Sequence, residues 1–295
     1  MNFDRSLDVP PGIEVRLSPL VSRVLAPNPG PFTFRGTGVY IVGAGARVAV
    51  IDPGPALADH VESLKRVLGP RQVSHILVTH THRDHSPAAA ALKRWNSVKT
   101  YGLPLGARNE LAIAREDMVD EAHDHDFMPD ILARDGMRIK GDDFELECVA
   151  TPGHTANHIC YGLWQERALF SGDHVMGWST SVIAPPDGNM GDYLASLEKL
   201  KARDDEILYP THGSPIANPQ EWLGQLIAHR RMRESQIVTA LANGTLTVQQ
   251  LAEQLYPGIA PALRPAAGQQ IAAHLEHMQS GGRVVRENGR WRLKT

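Results

Sequence analysis

Residues 79–85 read Thr-His-Thr-His-Arg-Asp-His, and no other stretch of this 295-residue chain constrains its fold and chemistry as tightly. Four metal-capable side chains, His80, His82, Asp84 and His85, fall within six residues. His80 and His82 alternate with small or polar neighbours, so both can enter one site from a chain leaving a strand. Asp84 and His85 follow after one turn, within reach of a second metal. The run Val73-Ser74-His75-Ile76-Leu77-Val78 directly before them reads as the delivering strand. A solvated polar loop does not need His and Asp grouped this densely, whereas a metal site does.

The surrounding pattern is α/β. Val39-Tyr40-Ile41-Val42 and Val48-Ala49-Val50-Ile51 form two strands across the turn Gly43-Ala44-Gly45-Ala46. The second strand stops at Asp52-Pro53-Gly54-Pro55. A helix is expected over 56–68, with Leu57, Val61, Leu64, Val67 and Leu68 at helical spacing and Gly69-Pro70 ending it. With the strand that follows, this makes a β-α-β unit, and 88–95 reads as the next helix. Further strands are expected over 144–148, 158–164, 168–170 and 207–209. The stretch from about 108 to 135 is acidic and irregular. Its His123-Asp124-His125-Asp126 resembles a metal cluster but has no strand leading into it, so a mobile, solvated cleft loop is expected there.

The character changes after Pro219. Residues 221–241 carry a continuous helical pattern ending near Asn243-Gly244. Thr247-Val248-Gln249-Gln250 has capping-box form and opens a short helix through 255. A third helix over 266–278 stops at Gly281-Gly282. Strands over 284–287 and 290–293 then flank Asn288-Gly289, the signature of a type I′ turn. Three helices and a hairpin outline a winged helix, which divides the chain into a catalytic domain at 1–220 and a C-terminal domain at 221–295.

Composition narrows the class. With 42% hydrophobic and 21% charged residues, the chain falls among ordinary soluble globular proteins. Residues 221–295 carry nine Lys/Arg against five Asp/Glu, and the other 220 residues carry 21 against 28. So small a basic excess is explained by a solvated surface as well as by an anionic partner. The N-terminus lacks the pattern of a secretory signal, and no apolar run approaches the roughly 20 residues that cross a bilayer. Cys148 and Cys160 have neither CxxC spacing nor a disulfide framework. A cytoplasmic protein without membrane attachment is expected.

Three later segments repeat one theme, a metal-capable residue at a strand end beside Gly: Gly153-His154, Gly172-Asp173 and His212-Gly213. Small neighbours let the backbone turn tightly and approach an ion. This succession, after HxHxDH, resembles the metallo-β-lactamase superfamily. The resemblance implies an αββα sandwich with a two-metal site at one edge. It also implies that His80, His82 and His154 hold one metal, Asp84, His85 and His212 the other, and that Asp173 bridges them. Asp52, at the end of an early strand, matches the superfamily's supporting aspartate.

Ligand chemistry agrees with that reading independently. Five imidazoles and two carboxylates without a thiolate suit two zinc ions, with manganese or iron as alternatives. Two ions about 3.5–4 Å apart share a water acidified enough to give hydroxide near neutral pH, which attacks a carbonyl or phosphorus centre. Asp84 is the expected catalytic residue, binding metal and orienting that nucleophile. Oxygen-reducing diiron members usually carry Glu where this chain has His82, which argues against that chemistry. His60, His75, His123, His125, His158, His229, His274 and His277 are expected to be surface or hydrogen-bonded core residues. His174, beside Asp173, and Tyr193 are candidates for lining the substrate cleft.

Within the superfamily, Asn28-Pro29-Gly30-Pro31-Phe32-Thr33 with Gly36-Thr37, the stretches 171–194 and 229–237, and the winged-helix outline resemble the lactamase β-like branch. One departure is Gly36-Thr37-Gly38-Val39-Tyr40, where many members carry Asn-Thr before the Tyr, which points to an altered substrate-facing contact. Characterised eukaryotic members imply endoribonuclease activity on single-stranded RNA. Against that, the catalytic portion is acidic, no basic stripe is interleaved with aromatics, and the interval from His85 to His154 is too short for a β-CASP insertion. The leading expectation is therefore a dinuclear hydrolase of a small-molecule ester, thioester or lactone. A phosphodiesterase acting on single-stranded RNA is the second. The third is a metal-sensing DNA-binding protein, with Arg283, Arg286, Arg290 and Arg292 at phosphates. The recognition helix over 269–278 has few basic or base-reading side chains. The C-terminal domain is expected to pack on the catalytic domain, shape the cleft or mediate a homodimer.

Overall fold

The computed structural model describes residues 2–106 and 123–294, so much of the irregular acidic segment lies outside the described residues. Two sheets carry the catalytic part. The first runs β1 (Glu14–Arg16), β2 (Val21–Leu25), β3 (Gly38–Val42), β4 (Arg47–Ile51), β5 (Gln72–Leu77), β6 (Thr100–Gly102) and β7 (Ile131–Leu132), in that spatial order. Strands β4 to β7 are parallel. The second sheet contains β8 (Arg138–Lys140), β9 (Glu145–Ala150), β10 (Ile159–Leu163), β11 (Ala168–Gly172), β12 (Ile207–Pro210) and β13 (Ile216–Ala217), ordered β13-β12-β11-β10-β9-β8.

Period-two alternation sorts the side chains into layers. On β3 and β4, Tyr40, Val42, Ala49 and Ile51 face the second sheet, where they meet Leu146, Tyr161 and Phe170. Their neighbours Val39, Ile41, Val48 and Val50 face outward onto Leu64 and Leu68 of α1 (Ala58–Leu68) and Leu92 of α2 (Ala89–Asn96). The outer face of the second sheet is covered by α3 (Met190–Lys201) and the first half of α4 (Pro219–Leu241), through Leu197, Leu200, Leu223 and Leu226. The layers are therefore helix, sheet, sheet, helix, as the αββα expectation requires.

Beyond the sandwich lie α5 (Val248–Leu255), α6 (Arg264–Ser280), β14 (Val284–Glu287) and β15 (Arg290–Leu293). The capping box is present: Gln250 N–H donates to Thr247 Oγ1, and Thr247 N–H to Gln250 Oε1. Asn288 and Gly289 have φ of 49° and 78°, the pair of positive angles that a type I′ turn requires. Ile237 and Leu241, in the last turns of α4, join Leu251, Ile271 and Trp291 in a separate core. One continuous helix thus packs on the sandwich at its start and on the winged helix at its end.

Helix α6 buries Ala267, Gln270, Ile271, Ala273, His274, Leu275 and Met278, with Ala273 in the cluster against the sandwich. Towards its C-terminus it leaves Glu276, Gln279 and Ser280 exposed, none of them basic. With no fully exposed basic side chain along 269–278, this helix offers little to a DNA groove. Among the described residues, no helix is long and apolar enough to cross a membrane.

Candidate metal centre

The site forms at one edge of the sandwich, where the carboxyl ends of strands from both sheets meet. Strand β4 leads into Asp52, β5 into His80–His85, β9 into His154, β11 into Asp173 and β12 into His212. Strands β4 and β5 are parallel, as are β11 and β12, and β9 and β11 share a direction because both are antiparallel to β10. Main-chain and side-chain bonds stitch the sheets together behind the ligands. Ile159 N–H donates to Thr79 O at 2.8 Å, Tyr161 Oη to Val78 O at 2.9 Å and Tyr40 Oη to Pro210 O at 2.6 Å.

All seven expected positions converge. Ligand atoms of His80, His82, His154 and Asp173 lie within 4.8 Å of one another, as do those of Asp84, His85 and His212. His82 Nδ1 lies 2.8 Å from His80 Nε2 and 3.2 Å from His154 Nε2. Asp173 spans the two groups, with Oδ2 3.9 Å from His154 Nε2 and 3.6 Å from His85 Nε2, and Oδ1 3.4 Å from His212 Nε2. Asp84 Oδ2 sits 3.1 Å from His212 Nε2 and 3.3 Å from His85 Nε2.

Four of the five imidazoles are aimed from behind by a bond on the ring nitrogen that faces away from the site. His85 Nδ1 meets Asp52 Oδ2 at 2.9 Å, His154 Nδ1 meets Val182 O at 2.6 Å, and His212 Nδ1 meets Gly36 O at 3.1 Å. His80 Nδ1 lies 3.0 Å from Thr79 Oγ1. Such bonds fix ring orientation and leave the opposite nitrogen free for a cation. His85 Nε2 and Asp173 Oδ1 are buried without a hydrogen-bond partner. The residues present therefore fit a pair of metal ions.

Electrostatics divide the cluster. Burial, reinforced by the neighbouring imidazoles, drives His80 and His82 well below the usual histidine range and lowers His154. On the other side burial opposes protonation of His212, but Asp173 and then Asp84 raise it to about 10. Asp84, Asp173 and Asp52 likewise overcome burial at His85 and hold it well above its usual value. Despite burial, both Asp84 and Asp173 stay well below the carboxylate range because His85 and His212 face them. A nest that gathers two carboxylates, one of them buried, attracts cations, whether protons or metal ions.

Glycines beside the ligands take up strained backbone positions. Gly153 has φ of 142°, and a Cβ there would lie 2.3 Å from Tyr193 Cα. Gly172 has φ of 52°, and its Cβ would lie 2.5 Å from His158 Nε2. Only glycine lets the chain pass so close at these positions.

The structure also adds residues and corrects expectations. Thr37 Oγ1 donates to Asp84 Oδ2 at 3.2 Å and accepts from Asn28 Nδ2 at 2.9 Å, so these two branch markers position Asp84. The departure at Gly36 bears on a ligand's support, because its carbonyl holds His212. His158 is buried with its ring 5.2 Å from that of His80, forming the floor of the site. His174 and Tyr193 do not line the cleft: both are fully buried, their rings 4.5 Å apart. The expected mobile loop is instead docked at its start. His123 is buried 4.8 Å from the His82 ring, Asp124 N–H donates to Thr81 O, and Ser86 donates to Asp124 Oδ2. His125 and Asp126 are exposed as expected.

Known proteins resemble this chain in sequence and fold. The Metallo-beta-lactamase superfamily profile matches residues 33–212, and the Beta-lactamase associated winged helix domain profile matches residues 247–291. The chain is 32% identical over 273 residues to a beta-lactamase-like protein 2 homolog of Caenorhabditis elegans, covering 91% of this chain and 87% of that one. It is 34% identical over 233 residues to an atrochrysone carboxyl ACP thioesterase of Paecilomyces divaricatus, covering 78% and 67%. A metallo-beta-lactamase family protein of Thermus thermophilus matches the fold with a TM-score of 0.80 at 22% identity, over 94% of this chain and 100% of that chain. The chain belongs to the metallo-β-lactamase superfamily and is a metal-dependent hydrolase that carries the winged-helix domain associated with that fold.

Proposed function

We propose that this chain hydrolyses an acyl thioester, or a related ester or lactone, at two zinc ions. His80, His82 and His154 would hold one ion, Asp84, His85 and His212 the other, and Asp173 would touch both. The convergence of these seven donors into two groups linked by Asp173 carries the reading. A donor set of imidazoles and carboxylates without thiolate favours zinc, then manganese or iron. When bound, such an ion pair supplies an acidified water and positive charge for a developing oxyanion.

The protein's own groups support the remaining roles. The Asp84 side chain is 24% exposed against 11% for Asp173, so Asp84 is the carboxylate that meets an entering substrate. Held ionised by His85 and His212 and bonded by Thr37, it is suited to accept a hydrogen bond from the attacking water and so orient it. Beside His212, the rings of Phe34 and Trp178 stack at 4.9 Å and 11°. Their loops adjoin that ligand through Gly36 O and the Gly177 amide. A partly exposed aromatic wall of this kind suits an acyl group. The thioesterase name of a relative points the same way, and the acidic balance of residues 1–220 works against a polyanion such as RNA.

The test is an assay of zinc-loaded protein on an acyl thioester, a lactone, a β-lactam and single-stranded RNA, with Asp84→Ala alongside. Thioester or lactone turnover that disappears in the variant is expected, with about two ions per chain by elemental analysis. RNA cleavage without acyl turnover would replace this reading with the ribonuclease one, and a chain that binds no metal would overturn both.

A further inference from the structure

Three consecutive residues, Ser181, Val182 and Ile183, form a strap across the back of the site. Its middle carbonyl, Val182 O, takes the Nδ1 bond of His154 at 2.6 Å. Its first side chain, Ser181 Oγ, donates to Asp173 O at 2.6 Å and to His174 O at 2.9 Å. One short segment therefore aims a metal-capable imidazole and anchors the main chain of the carboxylate that spans both groups.

The strap is held in turn from the C-terminal part of the chain. Arg230, on α4, is 1% exposed and donates through Nη2 to Ser181 O at 2.6 Å. Gln270, on α6, is 7% exposed and accepts the Ile183 N–H at Oε1 over 3.1 Å. The Arg230 guanidinium also lies 5.0 Å from the Tyr193 ring, which packs on His174 beside Asp173. Burying an arginine and a glutamine costs solvation that generic packing of two domains does not require. Both side chains direct their bonds to the same three-residue strap.

We infer that Arg230 and Gln270 are positioning residues for the metal centre, acting through the 181–183 strap on His154 and Asp173. The winged-helix part then serves the catalytic reaction as a clamp that completes the site from behind. This rests on the proposal that the cluster holds metal. An imidazole whose outer bond is loosened loses orientation, and partners of this kind typically contribute roughly 10- to 100-fold in metal affinity.

The experiment compares full-length wild type with Arg230→Met, Gln270→Leu and Leu251→Ala. Leu251 is buried in the winged-helix core and makes none of the bonds to the strap. Its truncation lowers the stability of that domain while leaving Arg230 and Gln270 to bond Ser181 and Ile183 in the folded protein. Zinc affinity is read by competition with a chelating dye, and the site's geometry by the visible spectrum of the cobalt(II) form. Expected are an affinity loss of about tenfold or more and a shifted cobalt band in Arg230→Met and Gln270→Leu, with neither change in Leu251→Ala. Unchanged affinity and spectrum in both strap variants would overturn the inference, as would an equal loss in Leu251→Ala. Gln270→Leu, a neutral replacement of similar size, decides the matter alone should Arg230→Met fail to fold. Wild type binding no metal would defeat the proposed function itself, whereas wild type and strap variants binding two ions equally would defeat only the clamp.

Discussion

His85 places Nδ1 2.9 Å from Asp52 Oδ2, and both side chains are buried. The same carboxylate accepts from Thr79 N, Thr79 Oγ1 and Thr211 Oγ1. Asp52 thus ties the end of β4 to the His80–His85 run and to the loop bearing His212. It does so at a φ of 48°, a strained angle that Asp tolerates better than most residues.

Replacing Asp52 with Asn turns one acceptor into a donor that faces donors. Zinc affinity in Asp52→Asn is expected to fall by about 10- to 100-fold, and thermal stability with it, because buried donors lose their acceptor. Equilibrium metal titration and a melting curve check this. Wild-type affinity in the variant would show that His85 keeps its aim without the carboxylate.

Asp84 and Thr37 separate chemistry from positioning. Asp84→Ala is expected to lower kcat by at least about a hundredfold. Thr37→Val keeps the shape but removes the hydroxyl between Asn28 and Asp84, and should lower kcat by about tenfold with KM nearly unchanged. Steady-state kinetics on the best acyl substrate distinguish the two effects; a Thr37→Val variant altered only in KM would place that hydroxyl at the substrate instead.

Gly153→Ala forces a methyl group to 2.3 Å from the Tyr193 main chain. A loss of about 3 kcal/mol or more in unfolding free energy is expected, with weaker metal binding because His154 is the next residue. Gly258 also has a positive φ, yet nothing lies within 4 Å of its Cβ position, so Gly258→Ala should cost only about 1 kcal/mol. Urea denaturation of the two variants side by side measures the difference.

His174 supplies the pH prediction. Burial pushes it from 6.5 down to about 3, against a smaller opposing contribution from the Tyr193 main chain. The unfolded chain therefore binds the extra proton between those pH values, and stability falls as pH drops through that window. Above about 6.5 the group contributes no slope. In His174→Leu the slope of stability against pH should be shallower by up to about 1.4 kcal/mol per pH unit between roughly pH 3 and 6.5, with little change at about pH 8. Denaturation curves in chelator across that range decide it; an unchanged acid limb would mean that His174 is already protonated in the folded chain.

Elements with strong local grammar are legible without coordinates. The apolar period of α1, the capping box at Thr247 and the Asn288-Gly289 turn each depend on a handful of adjacent residues. Their structures match for that reason. Strand β2 escapes a reading of the sequence because Ser22 and Arg23 interrupt its apolar run, although both are buried, Arg23 through a bond to Gly213 O. Helix α3 escapes it because its one buried face mixes the polar Ser196 and the hydroxyl-bearing Tyr193 with Met190, Leu197 and Leu200, which weakens the apolar period. His123 contradicts its expected exposure because its burial comes from docking on His82 and Thr81, some forty residues earlier in the chain.

The donor set is written in the chain itself: which imidazoles and carboxylates stand at strand ends, and hence the class of chemistry. That much is local, since a histidine beside glycine after a strand is visible in a few letters. What aims those donors depends on folding. Val182 O behind His154, Gly36 O behind His212, Thr37 beside Asp84, and Arg230 with Gln270 on the strap are contacts between distant segments. Two of these supports are backbone carbonyls, which carry no residue signature, so only the folded chain can reveal them.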